Sequence, residues 1–125
     1  MKSFDIARVI ELNDAIAEEF GGTKGYRKAR MGYLASALNH ALNDDYYPTF
    51  LDKLTHIVFS CVKFRPFVDN NARTALALGI YFLELNRMEG YFVHFAVRME
   101  RIIAELMEGG MTKDELKAKL KRVLY

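Results

Sequence analysis

Apolar residues recur along most of the chain three or four positions apart, which is the spacing of amphipathic helices. A first helix is predicted up to Phe20, with Ser3 as its N-cap and Gly21-Gly22 as its stop. Its apolar stripe consists of Ile6, Val9, Ile10, Ile16 and Phe20. The next stripe consists of Met31, Leu34, Leu38 and Leu42. The segment NDDYYPTF, with two acids and a proline, then breaks the pattern.

Two longer helices are predicted on either side of Pro66. Thr49 is placed to cap a third helix, which we expect to end near Phe64 because Pro66 disfavours helical geometry at Arg65. Its inner face would carry Leu51, Leu54, Ile57, Val58, Cys61 and Val62. The stretch 72–85 is apolar on every side, which is typical of a helix surrounded by others.

The remaining pattern predicts two more helices and an all-α fold. The fifth stripe consists of Phe92, Phe95, Met99, Ile102, Ile103 and Leu106, and Gly109-Gly110 ends it. Thr112 and Glu115 form a T-x-x-E capping box that opens a sixth helix with Leu116, Leu120 and Leu124 inward. No useful strand pattern, repeat or linker is found. We therefore expect one all-α domain over residues 1–125, with about six helices packed around a buried central helix, the fourth.

Composition narrows the class of protein. A chain of 125 residues that is 51% apolar and 27% charged is typical of one globular domain. The single Cys61 excludes an intrachain disulfide framework and a Cys-rich metal site, and it suits a reducing cytosol. No apolar run reaches the ~18 residues of a membrane span, and MKSFDIARVIELND lacks the apolar core of a signal peptide. We expect a cytoplasmic protein with no membrane partner.

Polar residues are concentrated at the start of the fourth helix, in the segment RPFVDNNAR. Free N–H groups and the positive end of the helix dipole make such a position a natural anion site. The residues expected around a phosphate are Asn70, Asn71, Ala72 and Arg73. Asp69 is placed to hold a Mg²⁺ that bridges phosphates, and Phe67 to anchor the loop inward. The alternative is that Asp69 or Asn70 caps the helix and Arg73 is solvated.

These residues carry a family resemblance. The segment RPFVDNNARTAL resembles the signature of the Fic/Doc (Fido) family, His-Pro-Phe-x-Asp/Glu-Gly/Ala-Asn-Gly/Lys-Arg, and the trailing T-A-L before an apolar helix is similar to the Doc (death-on-curing) branch. The matching positions are Pro66, Phe67, Asp69, Asn71, Arg73 and Thr74. The FGG after the first helix and the LELN that closes the fourth are also similar to Doc-type proteins.

The resemblance implies a function. It implies a toxin of a toxin–antitoxin system, a transferase that uses ATP and Mg²⁺ to modify a protein hydroxyl. The modification would be AMPylation or, as in Doc-like toxins, the phosphorylation of a translation elongation factor by a kinase-type reaction. Asp69, Asn71 and Arg73 would be catalytic residues, and an antitoxin helix or tail would dock against the chain. Exposed aromatic residues are the expected lining of that docking groove, and the candidates are Tyr46, Tyr47, Phe50 and Phe92.

Two positions depart from the family pattern. Arg65 stands where the family has the His that acts as general base. A guanidinium is always protonated and has no acceptor lone pair, so we expect catalysis to be absent or impaired while phosphate binding survives. Ala72 stands where the AMP-adding branch has Gly and the Doc branch has Lys. The residues therefore leave open which phosphate is transferred.

No other side chain offers a replacement base. His40, His56 and His94 fall opposite the apolar stripes of their helices and are expected at the surface. Cys61 lies on the inner stripe of the third helix, where a small buried thiol is the common case. The segment NDDYYPTF lies where the family has a flap that aligns the target, and an ordinary helix connection is equally compatible with it.

Two other function classes stay open: a non-catalytic Fic-fold binding protein and a small helical nucleic-acid binder. The basic residues that raise the second are Lys24, Arg27, Lys28 and Arg30, and then Lys113, Lys117, Lys119, Lys121 and Arg122. A solvated face explains them better, because acids such as Glu18 and Asp44 are interspersed and aromatic residues do not alternate with the basic ones. We do not expect nucleic acid as a partner.

Overall fold

A computed structural model describes residues 4–125, and these residues form six α-helices. The helices are α1 (Ile6–Phe20), α2 (Lys28–Ala41), α3 (Phe50–Phe64), α4 (Asn71–Leu85), α5 (Phe92–Met107) and α6 (Lys113–Leu124), with a 3-10 turn at Glu89–Tyr91 before α5. In this part of the chain, β-pairing is limited to an isolated antiparallel bridge between Tyr26 and Phe67. The prediction of an all-α fold with about six helices is confirmed.

Three helix ends follow capping residues identified from the sequence, at Thr49, Thr112 and Gly21. Thr49 and Thr112 both form complete capping boxes with the carboxylate three residues later. The predicted cap Ser3 lies outside the described residues, and α1 is capped by Asp5. Gly21, with φ of 92°, ends α1 in a backbone conformation that favours glycine. None of the described helices combines the length and apolar character needed to cross a membrane.

The centre of the fold is shared by α3 and α4. α3 packs against α2, α4, α5 and α6, and α4 packs against α1, α3 and α5. The core-facing side of α4 buries Leu78, Phe82 and Leu83. Its other apolar side, which includes Leu76 and Ile80, is only half-buried and borders a cavity described below. One flank of α4 is therefore open to a ligand or a partner.

α5 approaches α4 closely at Gly79. A methyl group added at Gly79 would lie 2.6 Å from the ring of Phe95, which is fully buried. Glycine at this position lets the two helices pack with an aromatic ring directly against the α4 backbone.

Three side chains lie elsewhere than the helical pattern indicates. Phe20 was predicted inward, but it is 57% exposed at the end of α1. Asn13 is buried on the inner side of α1. Lys53 is buried in α3, where its ammonium donates to the carboxylate of Asp44 (2.7 Å) and to the carbonyl of Tyr47. These bonds satisfy the buried charge and hold the α2–α3 connection against α3.

Candidate functional site

The motif loop, residues 65–70, joins α3 to α4 and is fixed from inside the protein. Phe67, the expected inward anchor, is fully buried. The side-chain amide of Asn71 closes the loop on itself: its nitrogen donates to the Phe67 carbonyl (2.9 Å) and its oxygen accepts from the Phe67 N–H (3.0 Å). The Asn71 side chain therefore shapes the loop, and its backbone N–H is the group left for a ligand.

The connection between α1 and α2, residues 21–27, pairs with the motif loop in a short antiparallel arrangement. The N–H of Arg27 donates to the carbonyl of Pro66 (2.8 Å), and the N–H of Val68 donates to the carbonyl of Gly25 (3.0 Å). The guanidinium of Arg27 also donates to the carbonyl of Phe67 (3.0 Å). The loop is thus held in place by residues about 40 positions earlier in the chain.

Asn13 is a positioning residue that the sequence reasoning missed. Its side-chain nitrogen donates to the carbonyl of Asp69 (2.9 Å) and to the hydroxyl of Thr74 (3.0 Å), so it ties the end of the motif loop and the first turn of α4 to α1. The sequence does contain a signal for a buried polar residue here, because Asn13 lies between the apolar positions Ile10 and Ile16 of the same helix. The carboxylate of Asp69 makes a further tether, since its Oδ2 accepts from the N–H of Thr23 (2.6 Å).

Asn70 begins α4 in the left-handed conformation, with φ of 64°. Asn is one of the few residues that adopt this conformation readily. Its side chain donates to the carbonyl of Gly21 (2.9 Å) and accepts from Arg73 (3.1 Å), and it makes no cap on α4. The carboxylate of Asp69 is turned to Thr23. Asn70 therefore occupies the N-cap position, as the alternative expected, and Arg73 is exposed, but neither the Asn70 nor the Asp69 side chain caps α4 with a hydrogen bond.

The N-terminus of α4 keeps its first N–H groups available. Thr74 is the first residue whose N–H bonds back, to the carbonyl of Asn70 (2.9 Å). Across residues 4–125, no acceptor is found for the N–H groups of Asn71, Ala72 and Arg73. These three donors, together with the helix dipole, make a candidate anion site.

The guanidinium of Arg73 lies beside this anion site and is held in place by its neighbours. Its guanidinium lies 4.6 Å from the centre of the Phe20 ring and donates to the side-chain oxygen of Asn70. Stacking on an aromatic face restricts the guanidinium while leaving it exposed to solvent. The exposure of Phe20 thus has a local reason, because its ring supports Arg73.

A cavity of about 650 Å³ adjoins the anion site, between α1, α4 and α5. Its lining includes Asn70, Ala72 and Arg73, so the free donors and an apolar wall border the same space. The wall is formed by Ile16, Phe20, Leu76, Ala77, Ile80, Ile103 and Ala104, with Glu100 among them. A cavity of this size and character suits a small organic ligand with one anionic end. The sequence motif predicted the part of the site that would bind an anion, but it did not predict the apolar wall of the cavity.

Arg65 is not among the residues that line this cavity. It ends α3 with φ of 44°, and its guanidinium donates to the carbonyl of Met107 in the last turn of α5 (2.5 Å). The backbone carbonyl of Arg65 accepts from Arg30 (3.5 Å). Arg65 therefore acts as a tie between the motif loop and the end of α5.

The histidines and the cysteine supply no base at the cavity. His40 and His94 are exposed as predicted, but the surface placement of His56 is wrong. His56 is half-buried, and burial, followed by the charges of Lys113, His40 and Lys63, lowers its pKa to about 4. Burial raises the pKa of the Cys61 thiol to about 12, so it is no nucleophile at neutral pH.

A metal ion at the site would need phosphate oxygens of a bound ligand in addition to protein side chains. No cluster of three or more His, Cys, Asp or Glu side chains able to hold a metal occurs within residues 4–125. Asp69 has one carboxylate oxygen engaged by Thr23, and its Oδ1 makes no hydrogen bond in that part of the chain. Mg²⁺ is commonly held by one carboxylate together with phosphate oxygens and water. Asp69 therefore fits a Mg²⁺ that arrives with a phosphate.

Several residues of the basic clusters make polar contacts within the protein. Lys24 pairs with Glu18 (2.5 Å), and Lys117 pairs with Asp52 (2.6 Å). Arg27 and Arg30 donate to motif-loop carbonyls, as described above. These contacts weaken the argument for a nucleic-acid surface, which needs basic groups free for phosphates.

Comparison with known proteins identifies the family of this site. A model of the Fic/DOC family matches residues 3–83, which include α1, the connection that pairs with the motif loop, the loop itself and α4 up to Leu83. No curated protein sequence matches the chain. The match covers well over half of the chain and contains the anion site and its tethers. The chain therefore belongs to the Fic/DOC family.

Proposed function

We propose that this Fic/DOC protein binds ATP at the N-terminus of α4 and is a Doc-type toxin whose transferase activity is absent or impaired. The observation that carries the proposal is the set of three free N–H groups at Asn71, Ala72 and Arg73 beside an apolar cavity of about 650 Å³. The N–H groups donate to the phosphate oxygens, and the apolar wall accommodates the nucleoside. Arg73 adds a charge-assisted contact to the phosphates.

Asp69 completes the phosphate site through a metal ion. Its free Oδ1 would hold Mg²⁺ together with phosphate oxygens, and the ion would neutralise charge on the group being transferred. The hydrogen bond from the Thr23 N–H to Oδ2 holds the carboxylate in one orientation and leaves Oδ1 as the oxygen available to the metal ion.

The missing base explains why activity is expected to be low. The transfer reaction needs a group that takes the proton from the target hydroxyl, and a guanidinium at position 65 has no lone pair to accept it. The side chain of Arg65 is also occupied at Met107. In an active relative of this site, the acceptor would be a hydroxyl of a protein such as a translation elongation factor. Both phosphorylation and AMPylation are compatible with the Ala72 backbone donor.

ATP titration by calorimetry tests the binding half of the proposal. Arg73→Ala should weaken ATP binding by about 10-fold or more, since a hydrogen bond to a charged group contributes about 1.5–3 kcal/mol. Arg122→Ala, at an exposed position on α6, is the matched control and should bind ATP like the wild-type chain. Equal affinity in the wild type and Arg73→Ala would remove Arg73 from the site.

The metal assignment needs a variant that spares the tether. Asp69→Asn keeps an oxygen that can accept from the Thr23 N–H but removes the carboxylate charge. We expect this variant to bind ATP with no dependence on Mg²⁺, whereas the wild-type affinity should rise when Mg²⁺ is added. A wild-type isotherm that is indifferent to Mg²⁺ would contradict the metal role.

An antitoxin partner is part of the proposal, and the structure changes where it is expected to dock. Of the four aromatic candidates, Tyr46 is 67% exposed, while Tyr47, Phe50 and Phe92 are half-buried. A better surface is the exposed pair Val93 and Val97 on α5. Helical spacing puts them on the same side of α5 as Glu100 and Ala104, which line the cavity. A docked helix would cover this strip and the cavity mouth.

Co-expression with a neighbouring reading frame tests the partner. The chain should co-purify with its antitoxin, and the double change Val93→Lys with Val97→Lys should abolish the complex. Tyr46→Lys is the control and should leave the complex intact. Loss of the complex only in Tyr46→Lys would move the docking surface to the α2–α3 connection.

A further inference from the structure

A second cleft, of about 540 Å³, lies between α2, α3 and the start of α6. It shares no lining residue with the cavity beside α4. None of its lining residues belongs to the motif loop, and the cleft is lined by basic and aromatic side chains.

Basic groups converge on this second cleft, and no carboxylate among residues 4–125 lines it. Lys63, Lys113, His40 and His56 line it, and none of its lining residues carries a carboxylate. Within the described chain, neither Lys63 nor Lys113 forms an ion pair with a carboxylate. Two adjacent ammonium groups with no bound counter-charge favour an anion in the space between them and solvent.

Lys113 is held in position at the cleft. Its ammonium lies 2.8 Å from Nδ1 of His56, and it lies over the rings of Tyr47 (5.1 Å) and Phe59 (5.8 Å). The ring of Tyr47 stacks on His56 at 4.3 Å, which fixes the imidazole in turn. Burial, followed by the charge of Lys63, lowers the pKa of Lys113, and the charges of Asp114 and Asp52 offset only part of that shift. An anion in the cleft would relieve that unfavourable environment.

Aromatic rings form an exposed wall of the same cleft. Tyr33 is 58% exposed and packs at a tilt against Phe64, with ring centres 5.6 Å apart. Lys63 lies 5.7 Å from the centre of the Phe64 ring. Solvent-facing rings beside ammonium groups are the combination that binds a planar base and its phosphate together.

We propose that this second cleft binds a small phosphorylated molecule with a planar ring, of the nucleoside monophosphate class. The phosphate lies between Lys63 and Lys113, and the ring packs against Tyr33 and Phe64. Ser36 and Ser60 add hydroxyl donors to the lining. This site does not rest on the nucleotide site proposed at α4, because the two have no residue in common.

Titration with AMP, ribose 5-phosphate and inorganic phosphate, followed by amide NMR shifts, tests the proposal. AMP should shift the amides of Ser60, Lys63 and Lys113, and it should bind about 10-fold or more tightly than either phosphate without a ring. Lys63→Gln with Lys113→Gln should weaken AMP binding by at least about 10-fold, since two charged contacts are removed.

Further variants distinguish the contribution of the ligand's ring from that of its phosphate. Tyr33→Leu should weaken the binding of AMP and leave that of inorganic phosphate unchanged. Arg73→Ala, at the other cavity, should leave the shifts at Lys63 and Lys113 unchanged, whether or not the α4 site binds nucleotide. Inorganic phosphate that binds as tightly as AMP would overturn the ring assignment. AMP affinity unchanged in the double lysine variant, with its fold intact by circular dichroism, would overturn the site.

Discussion

Replacing Arg65 with histidine should restore transferase activity at a small cost in stability. The substitution puts an imidazole, with an acceptor nitrogen at neutral pH, at the position that the proposed function assigns to the general base. The backbone there has φ of 44°, a left-handed conformation in which histidine is enriched over most residues. The new side chain is therefore compatible with the loop.

The stability cost follows from the contact that is lost. The exposed guanidinium of Arg65 donates to the carbonyl of Met107 at the C-terminus of α5. A cation at an exposed helix C-terminus contributes about 0.3–1 kcal/mol, so the free energy of unfolding should fall by about 1 kcal/mol or less. Arg65→Gln loses the same charge and gains no base, so it is the matched control. The gain in rate from the base should be about 10²–10⁴.

Labelled ATP reads out the reaction and its type. Arg65→His protein should label a protein in a bacterial lysate, from ATP labelled at the γ-phosphate if it phosphorylates and at the α-phosphate if it adds AMP. Arg65→Gln should label nothing, and Arg65→His combined with Arg73→Ala should lose the signal. A folded Arg65→His chain that binds ATP and transfers neither label would refute the transferase assignment and leave ligand binding as the function.

Three further predictions concern the scaffold. Gly79→Ala places a methyl group 2.6 Å from the buried ring of Phe95, so urea unfolding should show a loss of about 1–2 kcal/mol after the gain in helix propensity is counted. Asn13→Leu removes the donor to the Asp69 carbonyl and should cost about 1–3 kcal/mol and weaken ATP binding. The pKa of His56 is lowered from 6.5 to about 4 in the folded chain, so the unfolded chain binds the proton first as pH falls. Stability should therefore drop between pH 6.5 and 4, and His56→Gln should reduce that drop.

Each of these predictions has a matched control. Gly32→Ala adds a methyl group on α2 that meets no atom within 4 Å beyond its chain neighbours and the backbone of its own helix, so it should stabilise the chain. Asn39→Leu changes an exposed asparagine and should leave ATP binding unchanged. His94→Gln changes an exposed histidine and should not alter the pH dependence between 6.5 and 4. A Gly79→Ala chain as stable as Gly32→Ala would show that α5 moves aside freely.

The sequence predicted the helices well because the signals for them are local. Helical periodicity and the capping boxes at Thr49 and Thr112 depend on residues within one or two turns of each other. The motif loop was also visible as a contiguous segment. Its tethers were not, because Asn13 and Thr23 are 46 to 56 residues from their partner Asp69.

The errors arose where a helix has neighbours on more than one side. His56 lies opposite the apolar stripe of α3, which normally indicates solvent, but the Tyr47 ring and Lys113 of α6 cover that side. Lys53 is buried for the same reason, with Asp44 and Tyr47 supplying its partners. The periodicity of one helix reports its own apolar face and carries no information about what the next elements bring to the other face.

The pairing of the motif loop with residues 21–27 means that the site depends on contacts between segments far apart in the sequence. Its tethers to α1 and to the α1–α2 connection join positions 39 to 61 residues apart, so the loop gains these contacts only after α1 and the α1–α2 connection have docked on α3 and α4. A peptide containing the whole signature and both flanking helices would keep the bonds between Asn71 and Phe67 but would lack these tethers. The amide protons of Arg27 and Val68 cross the pairing, so their exchange with solvent reports when the site opens, even while α3 and α4 stay folded.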